Sequence, residues 1–290
     1  MKVKNRWIFF VLVISLLLMS GCSRQNISAE PPEAFDFAEV PEYSGQPYVA
    51  VHDNIPYFTE NEITAEAFEY YAPLDQWGRC GTACASVGRE LMPTEDRGSI
   101  GSVKPTGWHT IKYDTVDGKY LYNRCHLIGY QLTGENANPQ NLITGTRALN
   151  IDGMLPFENL TADYVKETGN HVMYRVTPVF ENGNLLASGV LMEGWSVEDR
   201  GAGICFCVFA YNAQPGIEIE YQNGESRQRA VPETSADATA TYVLNTNTMK
   251  FHRPDCPSVE KIKEENKQYY TGTREELLEQ GYSPCGNCNP

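Results

Sequence analysis

The chain has 290 residues, of which 41% are hydrophobic and 21% charged. That length holds about two domains, and the composition excludes wholesale disorder. The formal net charge of −14 argues at first sight against a nucleic-acid partner, because polyphosphate chains attract basic surfaces.

Lys2, Lys4 and Arg6 precede an apolar run from Trp7 to Met19 that only Ser15 interrupts. Thirteen residues suit the core of a signal peptide better than a membrane-spanning helix. The run ends in Leu18-Met19-Ser20-Gly21-Cys22, which resembles a bacterial lipobox. That resemblance implies removal of most of residues 1–22, lipidation of Cys22, and an anchor in the outer face of the bacterial cell membrane. Plain secretion with cleavage elsewhere is the alternative. Residues 23–47, with Pro31-Pro32-Glu33, lack periodicity and predict an extended tether.

Residues 48–225 predict the main globular domain. Its densest group of functional side chains is Asn123-Arg124-Cys125-His126, followed by Asn138-Pro-Gln-Asn141, Arg147, Asn150 and Glu158. Histidine is matched to proton abstraction near neutral pH. Asn150 offers a neutral oxygen suited to a hard cation such as Mg²⁺. Arg124 and Arg147 carry planar forks matched to phosphate oxygens. Together they suggest phosphodiester hydrolysis. Each also has a plain structural reading: His126 as a strand-end histidine, the asparagines as turn or cap residues, the arginines as surface charges, and Glu158 as a helix-dipole partner.

Glu158 to Lys166 predicts a helix closing near Gly169. Val172–Val179, Leu185–Met192, Ile204–Tyr211 and Ile217–Tyr221 predict strands, so the fold class is α+β with a central antiparallel sheet. His171 is expected to be a core or sheet histidine, and His109 a structural one. His52 carries no signal. Residues 226–241 predict a linker, and residues 242–290 a small terminal domain with a capping box at Thr273-Arg-Glu-Glu276 and a C-cap near Gly281.

Nine cysteines are present. His252, Cys256, Cys285 and Cys288 give H-x3-C and C-x2-C pairs separated by 28 residues, a donor set for a closed tetrahedral zinc site that would help a unit of this size fold. A disulfide from Cys256 to Cys285 or Cys288 is the alternative outside the cell. Cys80, Cys84, Cys125, Cys205 and Cys207 allow at most two disulfides, which the sequence does not assign.

The segment resembles the DNA/RNA non-specific endonuclease family, the ββα-metal nucleases, in its DNA-entry-nuclease-like branch. Asn123-Arg-Cys-His126 matches that family's Asp-Arg-Gly-His signature, Asn150 its metal-binding asparagine, and Glu158, eight residues on, its supporting glutamate. Leu74-Asp-Gln-Trp-Gly-Arg79, Lys104-Pro-Thr-Gly-Trp108, Asn170 to Pro178 and Gln214-Pro-Gly216 extend the likeness across residues 48 to 224. Asn123 departs from the signature Asp and Cys125 from its Gly. The resemblance implies His126 as general base, one Mg²⁺ on Asn150, Arg124 before Arg147 as phosphate contact, Glu158 behind the metal, and DNA, with RNA a further candidate, as substrate. Tyr282-Ser-Pro-Cys285-Gly-Asn-Cys288-Asn-Pro290 resembles the metal-binding fold of the Ada DNA-repair protein in a small adapter form. His252 stands where that fold's first cysteine would be, so a structural Zn²⁺ is implied and not methyl-acceptor chemistry.

Two functions from different classes follow: a surface-anchored nuclease, or a catalytically weakened DNA-binding lipoprotein with the zinc unit as docking module. The acidic excess is concentrated in residues 23–106, away from His126 and Asn150, so engagement of nucleic acid through a few arginines, with shallow salt dependence, is expected. Oligomeric state and biological role are open.

Overall fold

A computed structural model describes residues 27–28, 30–32, 34–229, 239–288 and 290. The expected export signal and Cys22 lie outside the described residues. Among those described, no helix is long and apolar enough to cross a membrane.

In chain order, β1 (Tyr48–Ala50), β2 (Phe68–Tyr71) and β3 (Ala83–Val87) come first. A long irregular excursion leads to β4 (Tyr122–His126), α1 (Tyr130–Thr133) and β5 (Leu142–Thr146). A π-helical turn, Leu149–Met154, runs into α2 (Leu155–Thr168). Then come β6 (Val172–Val179), β7 (Gly189–Ser196), β8 (Cys205–Tyr211), β9 (Ile217–Ile219) and β10 (Ser226–Gln228). The terminal segment holds β11 (Ala240–Asn245), β12 (Lys250–His252), β13 (Lys267–Gly272), α3 (Arg274–Glu279) and β14 (Ser283–Pro284).

Six strands in the order β1-β8-β7-β6-β3-β2 form the central sheet, antiparallel throughout. This is the expected α+β architecture. One face, carrying Ala85, Tyr174, Val176, Met192 and Val208, packs against Cys125, Leu127 and Ile143 of the β4–β5 region and Leu149, Ala162 and Val165 of the helical segment. The opposite face carries a cross-strand row of Cys84, Arg175, Glu193 and Cys207. Arg175 grips Glu193 with two hydrogen bonds of 2.6 and 2.8 Å, adds one to Glu62 at 2.8 Å, and stacks on Phe58. Such buried charge is tolerated only when each member is paired. Phe35 and Phe37 pack on Phe209, and the Tyr211 hydroxyl donates to the Pro41 carbonyl. The segment read as a tether therefore packs on the sheet from Phe35 onward.

The strand predicted over Val172–Val179 is β6, residue for residue. Its neighbour was expected at Leu185–Met192 but runs from Gly189 to Ser196. Leu185 and Leu186 instead donate to the Gln222 and Tyr221 carbonyls. The ladder continues past Met192 because Arg175 satisfies Glu193, and because side-chain-free Gly194 lies under the Phe206 ring, where a Cβ would meet Cε1 at 2.3 Å. The expected helix begins three residues earlier than read, at Leu155, and closes on Gly169 in the left-handed conformation at φ 77°. The capping box at Thr273 and Glu276 is formed.

Candidate active site

The β4–β5 hairpin places the signature segment. Its register pairs Asn123 with Gly145, Arg124 with Thr144 and His126 with Leu142. Beyond His126, the buried Asn141 side chain accepts from the Ile128 amide at 2.9 Å and donates to the Ile128 carbonyl at 3.0 Å, clamping the backbone. Asn138 caps the short turn over Pro139–Asn141. Both asparagines thus take the structural roles foreseen for them.

His126 is buried, at 5% exposure. Its Nε2 lies 2.7 Å from the Asn136 carbonyl oxygen, which can only accept, so Nε2 carries the proton. Nδ1 is then the lone-pair nitrogen, and it faces Arg97 Nη2 at 3.1 Å. Burial pushes the imidazole down to about 4; the Asn136 hydrogen bond opposes this and the Arg97 charge adds to it. The ring is a neutral base at neutral pH.

Glu158, in the first turn of α2, folds its carboxylate over Gly129: a Cβ there would lie 2.3 Å from Oε2. Burial raises its carboxyl to about 7, against a hydrogen bond from Gln131 and the charge of Arg97. The Arg97 charge therefore acts on both His126 and Glu158.

Asn150 lies in the π turn that leads into α2. Two α-helical turns span about 7.2 residues, short of the eight that separate Asn150 from Glu158. The Leu155 amide bonds the Asn150 carbonyl, a five-residue spacing, and this wider turn brings the two residues closer to one helix face. Pro156, which donates no amide hydrogen, stands where the π turn gives way to α-helix. The half-buried Asn150 side chain makes no hydrogen bond among the described residues, so its amide oxygen is free to ligate a hard cation.

The two arginines singled out from the sequence are engaged elsewhere. Arg124 donates to the Gly101 and Val103 carbonyls and stacks 4.0 Å over Trp108, pinning the 101–108 loop. Arg147 pairs with Asp117 at 2.8 and 3.0 Å and touches Asn123 Oδ1 at 3.4 Å. Cys125 is packed: burial drives its thiol upward, and Gly145 leaves room for its sulfur. The groups that sequence reasoning missed are Arg97 and the Asn136 carbonyl. No motif marks either, since Arg97 lies 29 residues before His126 on an irregular loop. His171 bridges Glu198 at 2.7 Å and Glu90 at 3.1 Å, an ion-paired structural histidine just before the inner strand β6. His109 bonds the Asn223 carbonyl, and His52 stacks on Tyr57.

Residues 58–197 match the DNA/RNA non-specific endonuclease family. Over that stretch the chain is similar to a DNA/RNA non-specific endonuclease domain. It is an endonuclease, an enzyme that hydrolyses phosphodiester bonds. Among solved structures, this chain is similar to NucA from Streptococcus agalactiae with magnesium ion bound, at 25% identity and TM-score 0.56, covering 63% of this chain and 87% of that one. The same protein with no metal bound gives 24% and 0.57, covering 66% and 92%. The Sda1 nuclease with bound zinc ion gives 24% and 0.53, covering 63% and 97%. These last two bear on the fold.

Outside the nuclease match, His252, Cys256, Cys285 and Cys288 are all buried, with ligand atoms within 4.8 Å of one another. The sheet β13-β11-β12-β14 builds the cluster: β12 ends on His252, and the Cys285 amide bonds the Phe251 carbonyl just after β14. None of the eight described cysteines is disulfide-bonded. His252 Nδ1 is buried with no hydrogen-bond partner, an arrangement that a metal ligand resolves.

Proposed function

We propose that this protein is an exported, lipid-anchored, Mg²⁺-dependent endonuclease that cleaves DNA, with RNA as a second candidate substrate, and that shows little base preference. The observation that carries this reading is the His126 ring: neutral, fixed through Nε2 to the Asn136 carbonyl, and presenting Nδ1 to Arg97, whose charge also acts on Glu158. Its nitrogen would take the proton of a water whose oxygen attacks phosphorus as the bond to the leaving 3′ oxygen breaks.

The unpartnered Asn150 oxygen and the Glu158 carboxyl, on one continuous helical segment, fit a hard divalent cation, Asn150 as direct ligand and Glu158 orienting its water shell. When bound there, the cation would offset negative charge developing on the phosphoryl oxygens. Asn123 positions Arg147, and Arg124 shapes the loop beside β4. A site of this composition grips backbone phosphate and reads no base edge.

Export and anchoring at Cys22 rest on the sequence of residues 1–22. The linker expected over 226–241 is shorter, because Ser226–Gln228 pairs with β9 and β11 starts at Ala240; the nuclease domain then runs from the packed Phe35 segment through β10, and an Ada-like unit from β11 to residue 290. In that unit His252, Cys256, Cys285 and Cys288 would hold a structural Zn²⁺.

Plasmid nicking with Mg²⁺ and with EDTA tests the proposal. The wild-type chain should nick only with the metal, and His126→Ala should lose about 10²–10⁴-fold in rate while keeping its circular-dichroism spectrum. Near-wild-type cleavage by His126→Ala would overturn the assignment. DNA binding without cleavage by the wild-type chain would leave a binding lipoprotein.

A further inference from the structure

In the resting site, both nitrogens of the base are occupied. Nε2–H donates to Asn136 O, and Nδ1, the atom that must receive the proton of water, accepts from Arg97 at 3.1 Å. Arg97 is exposed and forms no salt bridge among the described residues, unlike Arg147, which is tied to Asp117. Its loop is fitted to the other side of the same bracket: a Cβ on Gly98 would lie 2.7 Å from Asn136 Nδ2. The charged group facing the ring is Arg97, whose charge also acts on Glu158, with Glu135 preceding Asn136 in the chain.

A neutral imidazole nitrogen is a weak acceptor for a guanidinium compared with anionic phosphate oxygens, whose charge-assisted bonds are roughly twice as strong. We propose that Arg97 is a substrate-released cap on the general base: it holds His126 Nδ1 occupied in the free enzyme and moves to the phosphate when a nucleic-acid strand arrives, freeing the lone pair for water. The cap rests on the nuclease reading above. It couples activation of the base to the presence of the anionic substrate, and it gives Arg97 two successive positions, on the base and on the phosphate.

The test is imidazole ¹⁵N NMR of the full chain in detergent micelles, with a phosphorothioate-linked oligothymidylate that resists cleavage. Adding it to wild type should move the His126 Nδ1 resonance to the position that Arg97→Ala shows without ligand. Arg97→Gln keeps an amide donor without charge, so its resonance should stay near the free wild-type value and ignore the oligonucleotide. Arg97→Ala should also lose about 100-fold in kcat with the phosphate contact. The acid limb of its kcat/KM profile should move to higher pH, because the neighbouring positive charge is gone. A Nδ1 resonance that is the same in wild type and Arg97→Ala, or that saturating oligonucleotide leaves in place, overturns the cap. If the wild-type chain still cleaves in that case, the nuclease reading stands and only the role of Arg97 falls.

Discussion

Gly129→Ala separates the geometry of the site from its stability. Gly129 has φ −59° and ψ 144°, a backbone conformation open to alanine without strain. The added Cβ would lie 2.3 Å from Glu158 Oε2 and 2.6 Å from Cδ, where contact distances of about 3.5 Å are comfortable. The carboxylate must therefore retreat by roughly 1 Å. The obstructing atoms are the far end of a flexible side chain, so the fold yields cheaply and Tm should move little. A displacement on the order of 1 Å in a catalytic group costs about 10²-fold in rate. Initial rates of plasmid nicking at saturating Mg²⁺, with Tm measured in parallel, should show that loss in a folded protein. The same substitution in a Glu158→Ala background should cost nothing further, since the displaced group is already absent. Wild-type kcat in Gly129→Ala, or an undiminished effect without Glu158, would refute the placement of Glu158 in the site.

Two further outcomes are expected. At His171, burial opposes the charged form, but hydrogen bonds and charges from Glu198 and Glu90 outweigh it and raise the pKa, while both carboxyls are lowered. The stabilisation is then fully present below the ordinary histidine value of about 6.5, and is lost as pH rises through the elevated one. It fails again once pH falls to the lowered carboxyl values. The Tm gap between wild type and His171→Gln should be widest in mildly acidic buffer and close in alkaline buffer; a gap independent of pH would contradict the pairing. For the terminal cluster, metal analysis of the reduced mature chain should find one zinc per molecule, and chelation should unfold the β11–β14 unit selectively. A metal-free chain with a Cys256 disulfide to Cys285 or Cys288 would replace zinc with a covalent staple.

The sequence alone determined several features because they are written locally. The β6 strand from Val172 to Val179, the helix closing on Gly169, the Thr273–Glu276 capping box and the spacing of His252, Cys256, Cys285 and Cys288 follow from neighbours a few residues apart. His126, Asn150 and Glu158 were legible for a related reason: they sit in one stretch of chain whose residue types name a chemistry. Tertiary structure decided what those side chains face. Arg124, and after it Arg147, were the candidates for phosphate until the 101–108 loop and Asp117 claimed them. Arg97, from a loop with no periodic pattern, reaches the base that the sequence places 29 residues away. The end of β7 likewise runs past the expected Met192 because Arg175, on the neighbouring strand, neutralises Glu193. In each case the deciding partner is distant along the chain. Pairing energies between distant side chains depend on the folded geometry, which no local pattern of residues records.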